Sequence, residues 1–257
     1  MRRQPNFVGA LFLVALAILW QVGAGAIGSP NFPTFLQVVD ALVKNGPALA
    51  TELGHTLARA SIGFAIALLT MLPFGIVLGR LRAIGELVEP VIELIRPLPP
   101  IAMVPVMLIF LGVGDAAKIA VVVYGASFPI LINAIDAVRG LDPMLSNVAR
   151  SLRLNRTERM CLIDLPAALP RIVAGVRISI AVSLLLAIVA EMLLSTNGLG
   201  AFLMRAQESF EIAKGLAGLL VIALVALAIN FMTLRVERKV LAWHYARNVA
   251  GPAAAMG

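Results

Sequence analysis

Of the chain's 257 residues, 60% are apolar and 14% charged, against about 45 to 50% and about 25% in soluble globular proteins, which excludes a water-soluble domain. A helical span takes about 20 mostly apolar residues, so the composition predicts an all-α polytopic membrane protein with six transmembrane helices. Near-continuous apolar runs such as 178–190 exclude a transmembrane barrel, which alternates apolar and polar positions. The net charge of +7 fits arginines and lysines held on the cytoplasmic side and gives no reason to expect nucleic acid. A single cysteine, Cys161, forms no intrachain disulfide, and His55 and His244 stand too far apart in sequence to suggest a metal site.

Arg2 and Arg3 precede an apolar run from Phe7 to Ile27. Signal cores run about 7 to 15 residues, so this longer run reads as a retained first span, residues 1–28, with its N-terminus inside; a signal peptide cut near Ala24 and Ala26 is the alternative. Residues 29–52 open with turn formers, Ser29 to Thr34, and continue with apolar positions on one face of a short helix. They form an amphipathic segment on the outer, periplasmic surface. The core domain then runs over 53–240.

Its first span, about 53–81, carries Arg59 one turn inside the outer end and Pro73 near the middle, where a kink packed against protein is expected. Gly75 and Gly79 form a G-x-x-x-G pair that permits close helix approach. Glu86, Glu89, Glu93 and Arg96 share one side of the next helix at 100° per residue. Pro97, Pro99 and Pro100 then break it, and the span resumes through Val104 to Leu111, with the outer turn at 112–115.

Later spans are expected at 116–138, 172–194 and 212–234, and the tail 241–257 is expected to be disordered. With the N-terminus inside, fourteen of the arginines and lysines fall on the inner face, among them Arg80, Arg82, Arg139, Arg150, Arg159, Arg235, Arg238 and Arg247. Only Lys44, Arg59, Lys118, Arg205 and Lys214 fall outside, so both termini are assigned to the cytoplasm.

The stretch 141–168 is too polar for lipid. Asp142-Pro143 reads as an N-cap with proline at the first helical position, and Leu145, Val148, Ala149 and Leu152 follow at spacings that make one apolar face. Asn155 and Glu158 are spaced to cap a second short helix, ending before Pro166 and Pro170. Such helices either lie on the inner leaflet or dock in a groove of another protein. No phosphate-binding G-x-x-x-x-G-K-[ST], H-E-x-x-H or G-x-S-x-G sequence occurs, so no catalytic residue is assigned.

Asn147-Val148-Ala149-Arg150-Ser151-Leu152, Leu165-Pro166-Ala167-Ala168-Leu169-Pro170 and Gly175-Val176-Arg177 together resemble the EAA loop of permease subunits of bacterial ABC importers. Within that family the likeness is to the nitrate, sulfonate and taurine type. Arg96-Pro97-Leu98-Pro99-Pro100, Phe110-Leu111-Gly112-Val113-Gly114, Phe128-Pro129-Ile130, Ala190-Glu191 and Asn197-Gly198-Leu199-Gly200 extend it.

The resemblance implies a type I ABC importer (MetI-like) fold in a bacterial cytoplasmic (inner) membrane and no cofactor in this chain. It implies ATPase subunits that carry ATP-Mg, a periplasmic or lipid-anchored solute-binding protein, and a second permease copy, identical or related. Leu145, Val148, Ala149, Arg150, Leu152, Arg153 and Arg156 become the expected ATPase-coupling residues.

The chain departs from the family in lacking Glu-Ala-Ala and in placing Arg153 where glycine is usual, which suggests a bend moved to Asn155 and leaves homodimer or heterodimer open. A secondary transporter, expected to show a repeat, and a membrane enzyme are the alternatives. Glu93, Arg96 and Glu191 are the expected translocation-path residues, because ionised groups inside a span face protein or a water-filled route. Glu191 pairing with Arg205, and a structural Glu93–Arg96 pair, are the competing readings.

Overall fold

The computed structural model describes residues 7–243, and all regular structure among them is helical. Arg2, Arg3, Arg247 and the tail from residue 244 lie outside the described residues. Helix α1 (Phe7–Ile27) is followed by α2 (Phe35–Lys44), whose start is fixed by a reciprocal box between Thr34 and Gln37. Gln21, the polar break in the first apolar run, accepts a hydrogen bond from the Leu36 N–H at 3.0 Å, and the Trp20 indole donates to the Pro33 carbonyl.

Helix α3 (Gly46–Arg80) begins seven residues before the expected boundary at 53, because Asn45 and Pro47 start it directly after α2. It continues through Pro73 and ends where α4 (Arg82–Ile95) begins. After the prolines a 3-10 turn (Pro100–Met103) leads into α5 (Val104–Leu111), and the helices on the two sides of the break meet at 87°. The Tyr124 hydroxyl donates to the Ile95 carbonyl at 3.0 Å, supplying a partner for backbone that the break releases from the helical ladder.

Helix α6 (Asp115–Arg139) is the centre of the bundle, with Val121, Val122 and Ala126 sealed beneath α3 on one side and α9 (Leu165–Leu194) on the other. The expected close approach occurs here. A Cβ on Gly75 would stand 2.7 Å from the Ala134 Cβ, and one on Gly79 would stand 2.8 Å from the Val138 Cβ.

Helices α7 (Pro143–Ser151) and α8 (Arg156–Arg159) lie at one end of the bundle, and a π turn (Met160–Asp164) joins α8 to α9. At the other end α10 (Leu199–Glu208), unexpected from the sequence, leads to α11 (Ile212–Val240). Helices α3, α6, α11 and the continuous stretch Thr157–Leu194 are long and apolar enough to cross a membrane. The bent α4–α5 pair, counted as one span, gives a fifth, and α1 carries a shorter apolar stretch, Val14–Ile27.

The expectation that Pro166 and Pro170 end the second short helix is corrected: helix runs unbroken from α8 into α9. Pro166 falls in the first turn of α9, where a missing N–H is tolerated. The π turn just before it returns the Leu165 N–H to the Met160 carbonyl, a wider register that relaxes the first proline's clash with the preceding turn.

Candidate functional site

At the α7 end, local chemistry follows the residue types closely. Asp142 accepts from the Met144 N–H at 2.8 Å and Pro143 takes the first helical position. Asn155 and Glu158 cap α8 reciprocally, each backbone N–H meeting the other's side chain at 2.8 Å. Between them the chain turns by a Schellman motif, with Leu154 N–H to Ala149 carbonyl at 3.1 Å and Arg153 N–H to Arg150 carbonyl at 3.0 Å.

The left-handed residue of this motif is Arg153, φ 52°. The bend therefore stays at the position where glycine is usual and has not moved to Asn155, because Asn155 is already engaged as the cap of α8. A side chain in this conformation costs about 1–2 kcal/mol, part of which glycine returns as chain entropy. Arg153→Gly is accordingly expected to stabilise the loop by about 0.5–1 kcal/mol, read as a rise in the thermal denaturation midpoint of the purified chain.

The expected apolar face of α7 divides in two. Ala149 is 2% exposed and Leu145 is half-buried, so these two seat the helix on the bundle. Val148 and Leu152 point outward together with Met144, at successive four-residue steps; Met144 and Leu152 are 68% and 63% exposed. Ala149 and Leu145 thus face the bundle, and Met144, one turn before Val148, joins the outward stripe. Arg150 and Arg153 are exposed beside it, Arg150 bonded to the Asn147 side chain at 2.7 Å. Arg156 opens α8, and its side chain lies outside the described residues.

The opposite end holds an ionic cluster whose centre, Glu191 with Arg59, is buried and whose edge, Asp115, is exposed. Glu191, 0% exposed on α9, is bound by Arg59 of α3 at 2.6 Å, by the Thr56 hydroxyl at 2.8 Å and by the Gly200 N–H at 3.2 Å. Arg59, 3% exposed, also reaches Asp115 at the start of α6 at 2.9 Å and donates to the Asn197 carbonyl and side chain. Lys118 bridges Asp115 at 2.9 Å and the Ser195 hydroxyl at 3.0 Å.

Successive N–H groups at the α10 N-terminus are taken by Glu52 (Gly198), Thr56 (Leu199) and Glu191 (Gly200), which satisfies donors that a helix start leaves open. Gly198, at φ 100°, lies directly over the Glu191 carboxyl, where a Cβ would stand 2.2 Å from its Cδ. Glu191 thus ties α9 to α3 and α10, and Arg59 extends the cluster to Asp115 at the start of α6.

The partner of Glu191 is Arg59, 132 residues away, and Arg205 pairs instead with Glu52 at 2.5 Å. Sequence reading noted Arg59 but left it without a role and missed Thr56, Asp115 and Lys118. The available signal was a basic residue inside one span and acidic residues near the ends of two others.

Glu93 and Arg96 lie on the exposed side of α4 and its break, near Leu87 and Leu94, and form no ion pair with each other among the described residues. Glu89 on the same helix pairs with Arg139 at 3.0 Å. The structure therefore brings neither Glu93 nor Arg96 to Glu191.

Residues 71–242 match the family described as binding-protein-dependent transport system inner membrane component. The chain is 31% identical to the putative aliphatic sulfonates transport permease protein SsuC of Bacillus subtilis, over 94% of this chain and 90% of that one. It is 30% identical to the taurine transport system permease protein TauC of Escherichia coli, over 94% and 91%. Against the nitrate import permease protein NrtB of Synechocystis the figures are 28%, 86% and 84%. Among solved structures, an inward-facing MetNI methionine ABC transporter chain superposes with a TM-score of 0.68 at 19% identity, over 77% of this chain and 98% of that one, which shows a shared fold. With two thirds of its length matched to the family and relatives aligned almost end to end, the chain belongs to the binding-protein-dependent transport system inner membrane components, the permease subunits of ABC importers.

Proposed function

We propose that this permease moves a small inorganic or sulfonate-type anion across a bacterial inner membrane, driven by separate ATPase subunits that dock on α7. The observation that carries the coupling role is the outward stripe of Met144, Val148 and Leu152 on a short helix seated by Ala149. A capped helix joined to a transmembrane helix through a tight turn transmits a push from a docked partner to α9 without bending. In this reading Arg150, Arg153 and Arg156 orient the dock, and ATP-Mg belongs to the partner subunits.

Six spans with both termini inside fit the concentration of arginine around α7 and α8. Glu93 and Arg96 line the route at the face covered by a second permease copy, whether identical or related. An ionised residue facing lipid costs at least about 2.5–3.5 kcal/mol on insertion scales, so the exposed face of α4 requires a protein or aqueous neighbour. Glu191, closed off from that face, holds the outer gate shut through Arg59 and α10. The anion class is supported by the relatives' names, which specify sulfonates, taurine, nitrate and bicarbonate.

Reconstitution of the chain with its ATPase and solute-binding subunits in proteoliposomes tests the reading. ATP-dependent uptake of nitrate, taurine or an alkanesulfonate is expected, and a complex that takes up only solutes without an anionic group would contradict the assignment.

A further inference from the structure

A cavity of about 470 Å³ lies at the inner end of the bundle, behind α7, and none of the roles above uses it. Arg80, Arg82, Arg139 and Arg159 line it, from the end of α3, the start of α4, the end of α6 and the end of α8. Their acidic neighbours leave demand unmet. Asp164 is shared by two of the guanidinium groups, Arg80 at 3.5 Å and Arg159 at 3.4 Å. Asp142 is turned to the α7 cap, and Glu89 takes only the Nη1 of Arg139. Arg82 is exposed with no carboxylate in ion-pair range among the described residues.

Arginine's planar fork matches phosphate oxygens in pairs. We infer that this cavity binds a phosphate group, supplied either by the headgroup of an acidic phospholipid or by free phosphate. Its place among helix ends beside α7, where the proposed topology puts the membrane–water boundary and basic pockets between helices meet anionic headgroups, suits the lipid. Because the cavity is also lined by Pro143, Leu145 and Ser146 of α7, an occupant would brace the inner side of the helix whose outer side carries the docking stripe. The inference rests on the cavity alone and survives if the transported solute is not an anion.

Thermal denaturation of the delipidated full chain in detergent, titrated separately with phosphatidylglycerol, phosphatidylcholine and inorganic phosphate, tests it. Wild type, Arg82→Gln and an exposed inner-end control, Arg235→Gln, are compared. Phosphatidylglycerol is expected to raise the midpoint of wild type and of Arg235→Gln, with about fivefold more lipid needed for Arg82→Gln, and phosphatidylcholine is expected to have no Arg82-dependent effect. A response confined to phosphatidylglycerol identifies the headgroup as the source; an equal, Arg82-dependent response to phosphate alone identifies the free anion. If Arg82→Gln responds like wild type, or if neither probe shifts wild type, the cavity is not a phosphate site.

Discussion

Arg59→Met is expected to lower the stability of the chain by about 3–5 kcal/mol, the cost of leaving a buried charge without its partner. Glu191 has no exposure through which water could take the place of Arg59, and its other partners, Thr56 and the Gly200 N–H, supply hydrogen bonds but no charge. The same substitution removes one of the two cations on Asp115 and one of the two donors to the Asn197 carbonyl, so the α10 end of the bundle should loosen as a unit. Glu191→Gln, which keeps the shape and part of the hydrogen bonding, should cost less. The double variant Arg59→Met with Glu191→Leu should recover much of the loss, because apolar replacement of both ions removes the desolvation penalty as well as the attraction. Denaturation midpoints of the three variants in detergent decide the matter. If Arg59→Met costs under about 1 kcal/mol, the range of exposed pairs, the cluster is solvated and does not clamp the α10 end of the bundle.

Leu152→Asp should weaken association with the ATPase subunit by about 30- to 1,000-fold, the range that follows from losing a central apolar contact worth about 2–4 kcal/mol. Since Leu152 is largely exposed in the isolated chain, the substitution should leave its denaturation midpoint nearly unchanged. The two readouts separate docking from folding. Normal co-purification with the ATPase would remove Leu152 from the contact, and a collapsed midpoint would mean that the residue seats α7 on the bundle.

What the sequence reveals here and what it conceals divide along chain distance. The caps at Asp142 and at Asn155 with Glu158, the proline break after Arg96 and the glycine contacts of α3 depend on residues within a few positions or on a small-residue spacing, and all were readable. The Arg59–Glu191 pair joins residues 132 apart, and nothing local distinguishes Arg59 from the nearer Arg205. Helix α10 hides behind two glycines that read as a turn; their close contacts with Glu191 and the α9 backbone show why a glycine-rich start is needed there. Periodicity gave the apolar face of α7 but not its division, because Ala149 and Val148 differ by 100° around the helix and only packing decides which turns inward.

The docking of α7 on the ATPase is the centre of this account, and site-specific cross-linking tests it most directly. With the exposed Cys161 replaced by serine, Leu152→Cys and Ala149→Cys chains would each be assembled with the ATPase subunit in membranes and treated with a short bifunctional thiol reagent, and the linked products counted. Leu152→Cys should link efficiently to the ATPase while Ala149→Cys, buried against the bundle, should not. Links at position 149 equal to those at 152, or none at 152 in an assembled complex, would contradict it.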